Sequence, residues 1–400
     1  MIDMMKKIWF NQKFRNLVKG LDFLNLRTLV RKLIKTIREY FQMTPQKAKK
    51  KRIRAYEKET CRAGKRFYCR VLAGESDYNL VVNCDMSVSC NCNDVDGTGK
   101  LGDLRQKTLH EIISDKKARS FRRMLSKGRL PINRCIDCAD HRVVYKKVAK
   151  EKRRTVKVPS SGIMIENTVN CNYKCTYCSR EIIYNNRAQR SLSLEDLEII
   201  ARELQVNNME RVYYLNLGEP FFSKMITDEL RIIRKYNPNV VIFTSTNGSL
   251  VDSDYKRDGA MLMDHVSFSL DGIDNKTLGS YQVGADFDKT YKNMLDLVSY
   301  RNQREKKLPY IDWKYVVFSW NDRKEHIDKA LELAELAGVD VISFYMGSAP
   351  PDLQSDRWPR DDFLEDLDLP IFTNFEYKKI FLNEEASRYF NFTNSQRPPA

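Results

Sequence analysis

Ile163-Met164-Ile165-Glu166-Asn167-Thr168-Val169-Asn170-Cys171-Asn172-Tyr173-Lys174-Cys175-Thr176-Tyr177-Cys178 opens as a short apolar run and closes with three cysteines inside eight residues. The apolar part, Ile163–Glu166, has the pattern of a buried strand, which puts the cysteines on the loop that leaves it. Three soft thiolates on one loop can present their sulfurs to one face of a cubane [4Fe–4S] cluster. Structural zinc takes four protein ligands, and a cluster that only carries electrons takes four cysteines, so three leave one iron open to a small molecule. The competing readings are a zinc site completed by a distant ligand, and three buried cysteines that bind nothing.

From Ser161 onward, short β-branched runs alternate with amphipathic helix patterns. Strands are expected near Ile163–Glu166, Arg211–Leu217, Val240–Ser245, His265–Leu270, Ile311–Phe318 and Val339–Tyr345. Helices are expected near Leu194–Leu204, Lys224–Lys235, Asp254–Met261, Asp286–Arg301 and Arg323–Ala337. Parallel strands need helical crossovers, so six βα repeats point to an α/β fold built on a partial (β/α)6 parallel barrel. Chemistry in such barrels sits where strands end and loops begin. His265 lies within a strand pattern and reads as a packed core residue. Trp320, Asp322 and Arg323 follow the fifth strand, where a substrate contact and a solvated loop both stay open.

Three more strand ends carry polar punctuation: Asn216-Leu217-Gly218-Glu219-Pro220, Thr244-Ser245-Thr246-Asn247-Gly248, and Ser267-Phe268-Ser269-Leu270-Asp271-Gly272. Together with Cys171-x3-Cys175-x2-Cys178 and the aromatic Tyr177 before the last cysteine, their order resembles the radical S-adenosylmethionine (SAM) superfamily over residues 161–345. The resemblance implies that Cys171, Cys175 and Cys178 ligate a [4Fe–4S] cluster with SAM at its open iron. Asn216 to Pro220 looks like the family's Gly-Gly-Glu-Pro loop, with Leu217 in place of the first glycine. Glu219 would accept from the SAM ammonium, and Gly218 would let the backbone approach closely. Ser245 and Asn247 stand in the family's Thr-Asn-Gly turn. Ser267, Ser269 and Asp271 stand in its Ser-x-Asp-Gly element, which commonly faces the SAM ribose, while Tyr177 would pack near the adenine. The chemistry implied is reductive cleavage of SAM to methionine and a 5′-deoxyadenosyl radical that abstracts hydrogen from a substrate.

Seven of the ten cysteines lie between residues 61 and 140, in two groups separated by a helix-like segment, Lys107 to Leu125. Cys90-Asn91-Cys92, then Lys100-Leu101-Gly102-Asp103-Leu104, then Cys135-Ile136-Asp137-Cys138 is similar to the SPASM-type auxiliary-cluster module of radical SAM maturases, here ahead of the barrel instead of after it. A tight Cys-x-x-Cys with distant cysteines suits a tetrathiolate site, holding either a second [4Fe–4S] cluster or structural zinc. The expected ligands are Cys69, Cys90 or Cys92, Cys135 and Cys138. Cys61 and Cys84 are then free to complete a further cluster, donate a hydrogen atom or simply be buried.

The 400 residues carry a formal charge of +16, and the excess is concentrated in residues 1–60. There Leu26, Leu29, Val30, Leu33, Ile34, Ile37 and Phe41 fall on one helix face, opposite Arg27, Arg31, Lys32, Lys35 and Arg38. This basic amphipathic helix is expected to end near Thr44-Pro45, with Lys47–Arg54 as a solvated linker. A second basic run, Lys146–Arg154, reads as a boundary. The expected organisation is a helical arm (1–60), a cysteine-rich iron–sulfur module (61–150), the barrel (151–346) and an extension (347–400) that either covers the barrel mouth or lies disordered.

No apolar run in the first residues is long enough for a secretory signal, and none in the chain is long enough to span a membrane, so a reducing cytoplasmic setting is expected. The leading reading is a radical SAM enzyme acting on an unactivated carbon of a peptide, a sugar or cyclitol, or a lipid-linked glycan. It would draw on a low-potential electron donor such as flavodoxin or ferredoxin. Two alternatives are an iron–sulfur relay without turnover and an RNA-modifying enzyme. Nucleic acid ranks lower because the charge sits on an arm with no recognisable RNA module. Residues 1–54 could instead meet an anionic inner-membrane surface.

Overall fold

The computed structural model describes residues 45–347, 350, 352–357, 371–373, 377–383 and 385–387. The chain divides into two compact units, residues 1–63 and 64–400. In the first, α1 spans Pro45–Arg62. The basic run Lys47–Arg54 is therefore helical rather than a linker, because proline fits a first helical position, where its missing N–H is no loss, and Lys, Arg and Ala propagate a helix well. The apolar stripe Leu26–Phe41 lies outside the described residues.

The second unit opens with β1 (Lys65–Cys69), β2 (Val81–Val82), β3 (Ser87–Ser89) and β4 (Lys100–Asp103). Two helices follow, α2 (Leu109–Ser114) and α3 (Lys116–Ser126), where the sequence suggested one. Asp115 separates them: its backbone is extended and its carboxylate accepts from Lys116 N–H, which caps α3. Next, β5 (His141–Tyr145) pairs antiparallel with β1, setting Cys69 opposite His141. The second basic run forms α4 (Lys146–Arg154), which packs on α3 and β1.

Thereafter strands and helices alternate. The elements are β6 (Ile163–Ile165), α5 (Arg180–Asn186), α6 (Leu194–Val206), β7 (Arg211–Tyr213), α7 (Ile226–Tyr236), β8 (Val241–Thr246), α8 (Asp254–Ala260), β9 (His265–Ser269), α9 (Asn275–Gly279), α10 (Phe287–Gln303), β10 (Tyr310–Val317), α11 (Lys324–Ala337) and β11 (Val341–Met346). Strands β6 to β11 are parallel and adjacent in sequence order, as in the expected partial barrel. Beyond β6 the sheet continues through β2, β3 and β4, so the cysteine-rich segment extends the barrel sheet. On the other side, β12 (Ile371–Thr373) and β13 (Tyr377–Phe381) add antiparallel strands next to β11.

Alternation along the strands gives the sheet two unlike faces. One is apolar and faces the helices: Trp313 of β10 packs on Phe287 and Tyr291 of α10, and Val266, Phe268, Ile311 and Phe344 are fully buried. The other carries Ser245, His265, Ser267, Ser269, Asp312, Lys314 and Ser343, with Ser245, Ser267 and Asp312 in register on adjacent strands. This polar face looks away from the helices and leads to the loops at the strand ends. Described residues of the C-terminal segment reach those loops, since Gln354 bridges to Phe318 and Leu353 accepts from Ser319 N–H just beyond β10.

Candidate active site

Residues 171–178 leave β6 and are pinned from across the sheet. Lys174 N–H donates to Val283 O and Thr176 N–H to Tyr281 O, both at 3.0 Å. The loop is thus fixed by the segment after β9, and Tyr177 lies over Tyr281 with ring centroids 6.3 Å apart and planes 17° apart. Tyr281 in turn packs on Phe318, and Phe318 stacks on Trp320, making an aromatic column along the strand ends. The thiols sense one another. Burial pushes Cys175 up to about 12, helped by repulsion from Cys178, Asp271 and Cys171. Burial also raises Cys171.

Glu219 is the hub of the neighbouring loops. It is 2% exposed. Its Oε1 accepts from Thr246 Oγ1 at 2.6 Å and Phe221 N at 3.0 Å, and its Oε2 accepts from Asn247 N at 2.7 Å. A carboxylate offers about four acceptor positions, so one stays open for a ligand donor. Asn247 reaches the cysteine loop, its Nδ2 donating to Asn172 Oδ1 at 2.9 Å and standing 3.9 Å from Cys171 Sγ. Gly218 has a steric reason: a Cβ there would lie 1.9 Å from Thr168 O, so the close approach it permits is to the protein's own chain. Asn216 donates to Glu166 Oε2 at 2.9 Å, and Pro220 opens a short 3-10 turn that Glu219 caps.

At the next strand ends, Ser245 Oγ and Ser269 Oγ lie 3.1 Å apart on the polar face. Ser267 is buried against Asp312, at 3.4 Å. Asp271 is buried, its Oδ1 accepting from Val316 N at 2.8 Å, and burial raises its carboxyl to about 6. His265 stands 3.4 Å from Asp312, which also faces Lys379 at 3.9 Å. Sequence reading did not single out Asn172, Gln282, Asp312, Lys314 or Lys379. Gln282 contacts both Ser269 O and Asp271 N, tying the fourth strand end to the cysteine loop's anchor. Asp312 and Lys314 did leave a signal, namely charges at alternate positions of an otherwise apolar strand. Asp322 serves packing, accepting from Ser355 Oγ at 2.7 Å.

Upstream, Cys69 ends β1, and Cys135 and Cys138 lie in and at the end of the 3-10 turn just ahead of β5. Burial raises Cys90 well above its usual range, with repulsion from Cys69, Cys135 and Cys138 adding to it. Cys69 is raised in the same way by burial and by Cys138 and Cys135, and Cys135 reaches about 12. Cys92 is raised to about 11 by burial, with Cys138 as its cysteine neighbour. Asn91 Nδ2 donates to Cys138 Sγ at 3.0 Å. Cys84 is buried elsewhere, its thiol donating to Gln189 O at 3.2 Å. Among the described residues no three His, Cys, Asp or Glu side chains converge closely enough for one metal ion. A cubane asks for something else: its cysteines bind different irons, so their sulfurs stand farther apart than the four around a single zinc. Buried thiols whose deprotonated forms would repel one another have donor chemistry that fits iron, whose positive charge would offset that repulsion.

Residues 165–303 match the model of the radical SAM superfamily. The chain is similar to the probable GTP 3′,8-cyclase of Pyrococcus abyssi (strain GE5 / Orsay), 31% identical over 131 residues, covering 32% of this chain and 40% of that protein. It is also similar to the GTP 3′,8-cyclase of Campylobacter jejuni (strain RM1221), 26% identical over 118 residues, covering 28% of this chain and 36% of that protein. The chain thus spans well under half the length of these relatives. Among solved structures it resembles native anSMEcpe with bound AdoMet, with a TM-score of 0.35 and 18% identity, covering 46% of this chain and 50% of that one. The family uses a [4Fe–4S] cluster and SAM, and the match begins at the strand that launches the three-cysteine loop. Residues 165–303 thus carry a radical SAM domain, which contains the three-cysteine loop.

Proposed function

We propose that the chain abstracts hydrogen from an unactivated carbon of its substrate, with Cys171, Cys175 and Cys178 holding the cluster and Glu219 and Asn247 holding SAM. The observation that carries this is Asn247, whose backbone N–H donates to Glu219 while its side chain reaches the cysteine loop, 3.9 Å from Cys171 Sγ. Bound there, cluster and SAM supply a carbon-centred radical. The protein's own part is to orient and shield it. Glu219 keeps one acceptor position for an ammonium. Ser245, Ser269 and Asp271 offer oxygens at the height of a sugar diol. The column from Tyr177 to Trp320 walls one side and excludes water. The polar face with Asp312 and Lys314 suits a hydroxylated or amide-bearing substrate, which favours a peptide, a sugar or cyclitol, or a lipid-linked glycan. A simple electron relay would need neither Glu219's open position nor that face.

Anaerobically reconstituted protein given a strong reductant and SAM should form 5′-deoxyadenosine without substrate, and Cys178→Ala should abolish it. Full activity in that variant would sink the proposal. The grouping of Cys69, Cys90, Cys135 and Cys138 supports a second cluster ahead of the barrel. Among the described residues no helix is long and apolar enough to cross a membrane. Attachment of residues 1–54 to an anionic leaflet stays a proposal, tested by vesicle co-sedimentation of full-length protein against a chain beginning at Arg54.

A further inference from the structure

Helices α3 and α4 lie side by side and enclose a concavity lined by Lys116, Arg119, Arg122, Arg123, Arg153 and Arg154, with Ser120 and Val156. Six cations and no carboxylate line it. None of the six forms an ion pair within the described structure, and the nearest acid in sequence, Asp115, is held by Lys107 at 2.5 Å. Like charges packed this closely repel, and a fold keeps such an arrangement at a net penalty unless something anionic occupies it.

Arg122 makes the point sharper. It is 4% exposed, and its Nη1 donates to Ile113 O at 2.9 Å and Leu72 O at 3.4 Å. Its Nη2 is buried with no partner. Guanidinium does not deprotonate in proteins, so a buried arginine with no counter-charge penalises the fold until one arrives. Arg122 also lines a smaller cavity beside Cys69. A thiolate there could face Arg122 from within, but it could not serve the five cations on the outer wall.

We infer that this concavity is a binding site for a diphosphate group. Arginine forks match phosphoryl oxygens two at a time, and six cations over two helices suit a ligand with two linked phosphoryl groups better than a single small anion. Val156 adds an apolar edge against which the rest of such a ligand can lie. The same chemistry is offered by free pyrophosphate, a nucleoside diphosphate and a prenyl diphosphate.

The test is calorimetric titration of full-length reconstituted protein at low salt with inorganic pyrophosphate, UDP and farnesyl diphosphate in separate arms. Saturable binding of pyrophosphate at one per chain is expected. It should weaken at least tenfold in Arg119→Gln/Arg153→Gln and be unchanged in Lys127→Gln, which lies outside the concavity. Both altered arginines are exposed, so folding is not at stake, and unchanged iron content checks it. Tighter binding of UDP or of farnesyl diphosphate than of pyrophosphate identifies the source while supporting the site. Absence of saturable binding of all three, equal binding by the double variant, or binding only to RNA or anionic vesicles would overturn it.

Discussion

The backbone N–H of Asn247 donates to Oε2 of Glu219 at 2.7 Å, so the loop after β7 and the loop after β8 are fastened by one buried carboxylate. Thr246 and Phe221 take Oε1. Glu219 thereby holds Asn247 in reach of the cysteine loop.

Glu219→Gln tests both tasks. An amide keeps the shape but must turn an NH2 toward one of these donors, and hydrogen bonds to a charged partner contribute about 1.5–3 kcal/mol each. SAM affinity should fall by about 10- to 100-fold, with iron content unchanged, in an equilibrium binding assay on reconstituted protein. Affinity within twofold of the parent would remove Glu219 from the SAM site.

Gly218→Ala should be among the most damaging small substitutions in the chain. Its Cβ would collide with Thr168 O and crowd Val169 Cα, both backbone atoms that cannot rotate away. Overpacking of this kind destabilises by about 1–3 kcal/mol or more. Gly279→Ala is the control, since nothing lies within 4 Å of the added carbon. Thermal unfolding of the two apoproteins should separate them clearly; equal melting would mean the backbone at Thr168 yields.

The barrel was legible because its signal is repeated: apolar runs, crossover helices and polar strand ends recur six times, and parallel pairing leaves little choice of order. Elements shorter than a period were not. Strands β2 and β3 have two and three residues, too few to show alternation, so their joining to β6 could not be read. The run Lys47–Arg54 was read as a linker and is helical, because proline suits a first helical turn and the Lys, Arg and Ala that follow it propagate a helix well. The cysteine loop and its partner loops were legible as motifs. The loop's anchors Tyr281 and Val283 were not, since a residue that acts through its backbone carbonyl leaves no side-chain pattern of its own.

Cys90 and Cys92 could not be told apart by spacing, but the fold distinguishes them. Cys69, Cys135 and Cys138 all bear strongly on the Cys90 thiol, whereas for Cys92 the leading cysteine influence is Cys138. In a Cys171/Cys175/Cys178→Ala background, which isolates the upstream site, the protein should retain about four irons per chain for one cubane. Adding Cys90→Ser should remove them, whereas Cys92→Ser should leave most. Iron analysis and the visible absorption of the cluster read this out. Zinc in place of iron after anaerobic purification would return the upstream cysteines to a structural role.

Asp271 ties the site to pH. Burial raises its carboxyl from an ordinary 3.8 to about 6, with Val316 N–H and Lys314 pulling the other way. Between those two values the native protein holds a proton that the unfolded chain has released, so stability falls as pH rises through the window. Above it the buried carboxylate carries a penalty on the order of 3 kcal/mol, which is absent below pH 4. Asp271→Asn keeps an acceptor oxygen for Val316 N–H and never ionises. The variant apoprotein should therefore melt above the parent at pH 7 to 8, with the gap closing as pH falls toward 4. SAM binding should move the other way: if the ionised carboxylate meets the ribose, parent affinity rises with pH through about 6, as its carboxyl ionises, while the variant stays weak and flat. A melting difference that does not change with pH would show that the Asp271 carboxyl titrates normally and does not carry this burial penalty.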